Sequence, residues 1–359
     1  MTDMMMKVNG RIGVVVNPNA GCGEREIAGI VRKLLEILTG KRIHLIEGTL
    51  ESRLAAKLGV HATVIPAFDD SVLEARSATI LLLQSGIDVL IGIGGDGTLC
   101  DMASAMIETR STVQLLGIGA GSANVGPLVS LLAQDIDCLS LDGLHENKIH
   151  GIDAYVADNP VGTAFNDIVL GNTYFGTRNG HRIDLDAIAK FSGEDRSAEP
   201  KSVCGSRTWI AKNNQRILTN KNDAFAQIIA SPLNEGAVYA GKAISGLMCW
   251  GPYLGNYGVL AAASTVMVRT QLCLEDLNNA EPLRLVHISF GKNDRVTIGE
   301  LLTNAVLVID GNPTSLLSPS DVVTLQIRLD AIRVLRPLSF SRGLDSTDAI
   351  SEQNDRKDV

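Results

Sequence analysis

The spacing of apolar residues changes partway along this chain. From Arg11 to Asn17 (Arg-Ile-Gly-Val-Val-Val-Asn) they are nearly continuous, as in a strand buried on both faces. Over Glu24–Leu38 they fall at Ile27, Ile30, Val31, Leu34, Leu35 and Leu38, the spacing of one helical face. The alternation continues. Ala62–Ile65 predicts a strand ending at Pro66. Ser71–Gln84 predicts a helix, with Asp69 and Asp70 as candidate caps and Gly86 at its end. Asp88–Ile93 predicts a strand, Leu99–Ile107 a helix and Gln114–Ile118 a strand. This order predicts a parallel, doubly wound α/β sheet, whose ligands sit at the carboxyl ends of the strands.

After about Gly151 the helical period fades. Short β-like runs follow at 162–170, 226–230, 258–268, 283–290, 305–309, 322–325 and 332–335. They predict a mostly β second domain. The expected organisation is an α/β domain over 11–150, a mostly β domain over 151–338 and a tail over 341–359. That tail is rich in Ser, Asp, Glu, Lys and Arg and reads as disordered. Lys190–Lys201 is polar and reads as an exposed loop. A chain of 359 residues suits two domains of roughly 100–200 residues each.

Composition narrows the partners. With 45% hydrophobic residues there is enough apolar material for two cores. A net charge of −8 argues against nucleic acid or an anionic membrane as the main partner. No stretch reaches the ~18–20 apolar residues of a membrane span, so no stable membrane association is expected. Met1–Gly10 is too polar for a signal peptide, and the expected location is cytoplasmic. The six cysteines contain no C-x-x-C pair, which fits free thiols in a reducing compartment. The six histidines have no metal-ligand spacing, so no metal held by protein ligands alone is expected.

The candidate chemistry sits at Gly94-Gly95-Asp96-Gly97-Thr98, directly after the apolar run Val89–Ile93. Glycine permits positive φ and lets backbone approach a ligand closely. A strand, a glycine turn and a helix start is a place where phosphate is held by free N–H groups. Asp96 would repel bare phosphate, which suggests a metal or a hydroxyl to be activated. The plainer alternative is that Asp96 only caps the helix.

Gly94–Thr98 resembles the hallmark GGDGT motif of the superfamily of NAD kinases, diacylglycerol kinases and sphingosine kinases. Asn17-Pro18-Asn19-Ala20-Gly21 resembles its Asn-Pro-x-x-Gly phosphate loop. Gly117–Asn124 occupies the place of its third Gly-rich segment. Ala164–Val169, containing Asn166-Asp167, is similar to the Asn-Glu/Asp strand of NAD kinases, where the pair binds the adenine and ribose of the dinucleotide. Ile309–Asn312 is similar to a late turn of the superfamily, and Asp310-Gly311 also makes a good hairpin with no chemistry. The Thr-Pro-Thr-Gly-Ser-Thr-Ala-Tyr string of NAD kinases is absent; Ser231–Tyr239 and Ala243–Gly246 match that segment only loosely. The chain looks most like the divergent NAD-kinase-like group that includes the acetoin-catabolism X protein.

The resemblance implies ATP-dependent phosphorylation of NAD at the adenosine ribose 2′-hydroxyl, with Asp96 catalytic. It implies nucleotide contacts from Asn17, Gly21, Gly94, Gly95, Gly97, Thr98, Gly119 and Gly121, and dinucleotide contacts from Asn166 and Asp167. ATP and Mg²⁺ are the implied donor and metal, with the ion held mainly by phosphates and water. Small nucleotides are the implied partners, in a homodimer or homotetramer. Three alternatives stay open: a lipid or other small-alcohol kinase, a nucleotide-binding protein without turnover, and Asn166-Asp167 as a simple turn between strands. Arg178 and His181 read as solvated loop residues.

Overall fold

In a computed structural model, which describes residues 6–7, 10–67, 74–121, 124–178, 181–219, 225–234, 252–270 and 284–337, the β-α alternation of the first third becomes a layered sheet. Its elements are β1 (Met6–Lys7), β2 (Arg11–Val16), α1 (Glu24–Ile37), β3 (Arg42–Ile46), α2 (Leu50–Leu58), β4 (Ala62–Ile65), α3 (Ala75–Gln84), β5 (Val89–Gly94), α4 (Asp96–Glu108), β6 (Gln114–Gly119) and β7 (Val129–Leu132). The strand order is β4-β3-β2-β5-β6, and all these neighbours are parallel. Strands added after β2 go outward on one side, and strands after α3 go outward on the other. The order therefore reverses between β2 and β5, and that is where doubly wound sheets bind ligands.

Alternate residues of the central strands feed two cores, which explains their unbroken apolar runs. Ile12, Val14, Val89, Ile91 and Ile93 pack with Ile27, Val31, Leu34 and Leu35 of α1. On the opposite face, a Cβ at Gly13 would lie 2.7 Å from Ile87 and 3.2 Å from Leu82 of α3, and one at Gly92 would lie 2.7 Å from Met102 of α4. The missing side chains at those strand positions leave room for these residues of the helices and the loop before β5.

The remaining elements are β8 (Asp142–Val156), β9 (Asn159–Ala164), β10 (Ile168–Gly171), β11 (Thr173–Arg178), β12 (His181–Asp186), α5 (Ala187–Lys190), β13 (Trp209–Lys212), β14 (Gln215–Thr219), β15 (Gln227–Pro232), β16 (Asn256–Ala263), β17 (Leu285–Gly291), β18 (Arg295–Gly299), β19 (Ala305–Ile309), β20 (Asn312–Leu317) and β21 (Val323–Pro337). Strands β17-β16-β15-β10-β19-β20 form an antiparallel sheet. Ile168, Leu170, Ile228, Ala230, Leu260, Ala305 and Leu307 point from it into one core, shared with Ile210, Val296, Ile298 and Val323. Val169, Ile229, Val306 and Val308 point the other way, onto Ala187, Met267 and Val268.

By internal contacts the chain forms two units. Unit 1 is Met1–Asn124, Leu128–Lys148 and the chain from Ile332; unit 2 is Val125–Pro127 and Ile149–Ala331. The second unit is thus not an unbroken segment to 338. Arg333 and Val334 pair in parallel with Gln114 and Leu115 of β6, and β7 pairs with the same strand at Gly117–Gly119, so its outer edge is covered.

Three local differences from the pattern have physical causes. Helix α4 starts at Asp96 rather than Leu99, so the last three residues of the glycine motif, Asp96-Gly97-Thr98, are already helical. β3 and α2 do not figure in the sequence-based prediction, because the buried side of the nine-residue α2 is Glu51, Leu54 and Ala55, and the glutamate breaks the apolar stripe. A short helix, Ala187–Lys190, takes in the first residue of the expected loop over 190–201. Asp69, Asp70, Ala243–Gly246 and the tail 341–359 lie outside the described residues. Among the described residues no helix is long and apolar enough to cross a membrane. Cys22, Cys100, Cys138 and Cys204 are free thiols.

Candidate nucleotide site

The candidate site is built on the carboxyl ends of β2, β5 and β6. The Asn17 N–H donates to the Ile93 carbonyl at 2.9 Å, tying the end of β2 to that of β5. The Ala120 N–H donates to the Gly94 carbonyl at 2.7 Å, tying β6 to β5. The Cys22 N–H reaches the Ala120 carbonyl at 3.2 Å. The three glycine-bearing segments are therefore stitched together by backbone alone.

The Asn17 side chain completes the link. Its Nδ2 donates to Thr98 Oγ1 at 2.9 Å, and its Oδ1 accepts the Asn19 N–H at 3.0 Å. Asn17 thus clamps the first turn of α4 to the loop after β2. Thr98 is buried, and Asn17 and Asp96 are half-buried.

The glycines are needed for proximity rather than for left-handed backbone. None of Gly94, Gly95, Gly97, Gly119 or Gly121 has a positive φ. A Cβ at Gly94 would lie 2.6 Å from the Thr98 Cβ. A Cβ at Gly121 would lie 2.6 Å from the Gly95 Cα, so two backbones meet there. Gly97 is different, since nothing lies within 4 Å of a Cβ built on it. Gly23, not Gly21, supplies the left-handed turn before α1, with φ 91°.

Helix α4 answers the alternative in which Asp96 is only a cap. Gly95 holds the cap position with φ −84° and ψ 179° and has no side chain to offer, and Asp96 is the first helical residue. The Leu99 N–H closes the first turn on the Gly95 carbonyl at 3.1 Å. The preceding N–H groups have no partner within the helix, and such donors favour anions. The start of α1 is less suited to phosphate, because its first turn carries Glu24 and Glu26.

Two contributing residues have no role assigned from the sequence, although Asn124 ends the third Gly-rich segment. Asn124, with φ 54°, folds back on the third Gly-rich segment. Its Oδ1 accepts the Gly121 N–H and its Nδ2 donates to the Gly121 carbonyl, both at 2.7 Å. Gly119 makes room, since a Cβ there would lie 2.9 Å from that of Asn124. The only signal in the sequence is Asn, a residue that tolerates the left-handed region, three positions after a glycine.

Glu51 lies behind the clamp. It is 2% exposed, and burial raises its pKa more than its own N–H, the Thr49 side chain and the backbone N–H of Val16, the residue before Asn17, lower it. Its Oε2 has no partner among the described residues. Burial pushes its pKa up to about 7. A carboxyl raised in the folded state favours folding below its unfolded pKa, and the advantage is lost as pH rises through about 7. Glu51→Gln, which stays neutral, is therefore expected to gain about 2–3 kcal/mol over the native protein between pH 5 and pH 9. Urea unfolding of both proteins at the two pH values measures this; equal pH dependence would clear Glu51 of the effect.

Asn166-Asp167 lies in unit 2, between β9 and β10, and both residues are half-buried. It is more than a bare strand connection. Asp310 Oδ2 accepts the Phe165 N–H at 2.8 Å, and its Oδ1 accepts those of Asn166 at 2.7 Å and Asp167 at 3.0 Å. The Asp310 N–H in turn donates to the Asp167 carbonyl at 2.9 Å.

Comparison with known proteins follows this geometry. Residues 12–126 match the family model of the ATP-NAD kinase N-terminal domain. An uncharacterized protein of Archaeoglobus fulgidus is 29% identical over 328 residues, 91% of this chain and 98% of that one. An NAD kinase of Halorhodospira halophila is 32% identical over 136 residues, 37% of this chain and 38% of its own length. Among solved structures, yeast NADH kinase complexed with NADH has a TM-score of 0.53 at 11% identity, covering 95% of this chain and 88% of that chain. That likeness shows the fold.

Proposed function

We propose that this chain, whose residues 12–126 match the ATP-NAD kinase N-terminal domain, carries out ATP-dependent phosphorylation of NAD at the 2′-hydroxyl of its adenosine ribose. One observation carries the reading. An acid at the first position of a helix, Asp96, stands beside glycine backbone and a clamped Thr98 at the point where the strand order reverses. Phosphoryl transfer asks a protein mainly for positioning and charge neutralisation. This arrangement places the N–H groups of a helix start, which suit phosphate, next to one carboxylate for a hydroxyl.

In that mechanism Asp96 accepts the proton of the ribose 2′-hydroxyl as its oxygen bonds to the γ-phosphorus of ATP. The bond from that phosphorus to the bridging oxygen breaks, and ADP leaves with the electron pair. The α4 N-terminus binds phosphate, and the Asn17–Thr98 bond keeps the helix start against the loop after β2. Asn166 offers a donor and an acceptor to the adenine, and Asp167 accepts from ribose hydroxyls.

The oxygen donors of Asp96 and Thr98 suit magnesium, which prefers carboxylate, phosphate and water. Among the described residues no three His, Cys, Asp or Glu side chains converge on a point. Asp96 is the carboxylate that would face an ion brought in on the triphosphate, and such an ion would offset charge on the transferring group.

The test is direct. The purified protein is incubated with ATP, Mg²⁺ and NAD, and NADP is measured enzymatically. Formation of NADP is the expected result. Binding of NAD and ATP without product would instead indicate a nucleotide-binding protein without turnover. Phosphorylation of lipid presented in vesicles, with NAD untouched, would move the protein to the lipid-kinase branch.

A further inference from the structure

We propose that Asp310 is a positioning residue for the dinucleotide: its carboxylate fixes the Asn166-Asp167 turn by holding three successive backbone N–H groups. The proposal rests on the NAD reading of that turn. Asp310 comes from the β19–β20 hairpin, 143 residues from Asp167 in sequence. With φ 49° at Asp310 and 82° at Gly311, and Ile309 paired with Asn312, the hairpin turn is of type I′. A hairpin needs no acid for this. Asn-Gly makes the same turn at least as well. The acid is explained by what it holds.

Three consecutive N–H groups that converge on one point form an anion-binding nest. Here the anion is the Asp310 side chain, bound at 2.7, 2.8 and 3.0 Å. The consequences are two. The Asn166-Asp167 backbone is locked through bonds to a charged acceptor, which are among the stronger hydrogen bonds in proteins. The nest is also filled from within, so these N–H groups are not left for a phosphate of the ligand. The turn then presents its side chains, Asn166 and Asp167, and selects for a neutral, hydroxyl-bearing part of the nucleotide. The register supports this division. Ile168 pairs with Ile309, and Phe165 is fully buried, so the turn is pinned at both ends and by the acid at its centre.

The experiment uses the full chain and the variant Asp310→Asn. It keeps the hairpin, because Asn-Gly favours the turn, but its amide NH₂ opposes at least one of the three donors. Titration calorimetry with NAD, and separately with ATP, reads the outcome. The expected result is about tenfold or greater loss of NAD affinity with ATP affinity unchanged. KM for NAD should rise more than kcat falls. Asp310→Glu, which keeps the charge on a longer arm, should fall between the two proteins. In a double-mutant cycle, Asp167→Asn should cost less in the Asp310→Asn background than alone, as it must if Asp310 acts through that turn. NAD affinity equal to that of the native protein overturns the proposal while the NAD reading stands. Equal losses for NAD and ATP overturn it too, since they mark general loosening. A native protein that binds ATP but not NAD overturns the reading, and the proposal falls with it. Should Asp310→Asn not fold, Asp310→Glu decides alone: reduced NAD affinity with ATP affinity unchanged, coupled to Asp167→Asn in the cycle, supports the positioning role, and native NAD affinity or additive effects overturn it.

Discussion

Asp96→Asn is expected to lower the rate of NADP formation by about 10²–10⁴-fold, the usual range for removing a general base. Asparagine has nearly the same shape but cannot take the proton of the attacking hydroxyl. The fold should tolerate it. Asp96 lies at the first position of α4 and Gly95 holds the cap, so no cap bond of Gly95 is lost. What is lost is the favourable meeting of a carboxylate with a helix N-terminus, typically about 0.3–1 kcal/mol. The effect should therefore appear in kcat with little change in melting temperature. Steady-state kinetics on both proteins, with thermal melts alongside, checks this. A variant retaining the native rate would remove Asp96 from the chemistry.

Alanine at Gly121 should damage both stability and binding, and alanine at Gly97 should separate the two. At Gly121 the new methyl would lie 2.6 Å from the Gly95 Cα, and backbone cannot rotate aside as a side chain can. The segment after β6 must move away from the glycine turn, straining the Ala120-to-Gly94 bond and the Asn124 clip. Overpacking of this kind costs about 1–3 kcal/mol, and nucleotide binding should fall with it. Gly97 has open space where the methyl would go and lies within α4 without a positive φ. There alanine should stabilise the helix by up to about 1 kcal/mol, yet weaken ATP binding if phosphate lies on that surface. Urea unfolding and ATP titration on the two variants give four numbers. Native ATP affinity in Gly97→Ala would place the phosphate elsewhere.

Much of the first unit was legible because its signals are local. A buried parallel strand needs a continuous apolar run, and Arg11–Val16 and Val89–Gly94 show one. A helix covering one face needs a stripe, and α1 shows it. The glycine motifs were legible as a set because each follows such a strand. Other parts were not. Helix α2 hides a buried glutamate on its inner side, which reads as polar surface. The start of α4 was misplaced because its first turn is Asp-Gly-Thr, poor helix formers held there by Asn17 and by the backbone around Gly94. The use of the glycines was misjudged in kind. Their φ angles are ordinary; a side chain is forbidden at Gly121 by a neighbouring segment and at Gly94 by Thr98, while at Gly97 nothing stands in its way.

Residue types and their local order determined that this chain has strand–turn–helix units suited to phosphate, an acid among the glycines, and a β-rich second half. Tertiary structure alone decided which of these meet. Asn17 finds Thr98 across 81 positions, and Gly95 faces Gly121 because β5 and β6 are neighbours. Asp310 reaches the Asn166-Asp167 turn because β10 and β19 pair in one register. Hydrophobic periodicity reports what each segment must bury, and it contains no term for the distance between segments. That distance is set only when the cores close and the strands choose their partners.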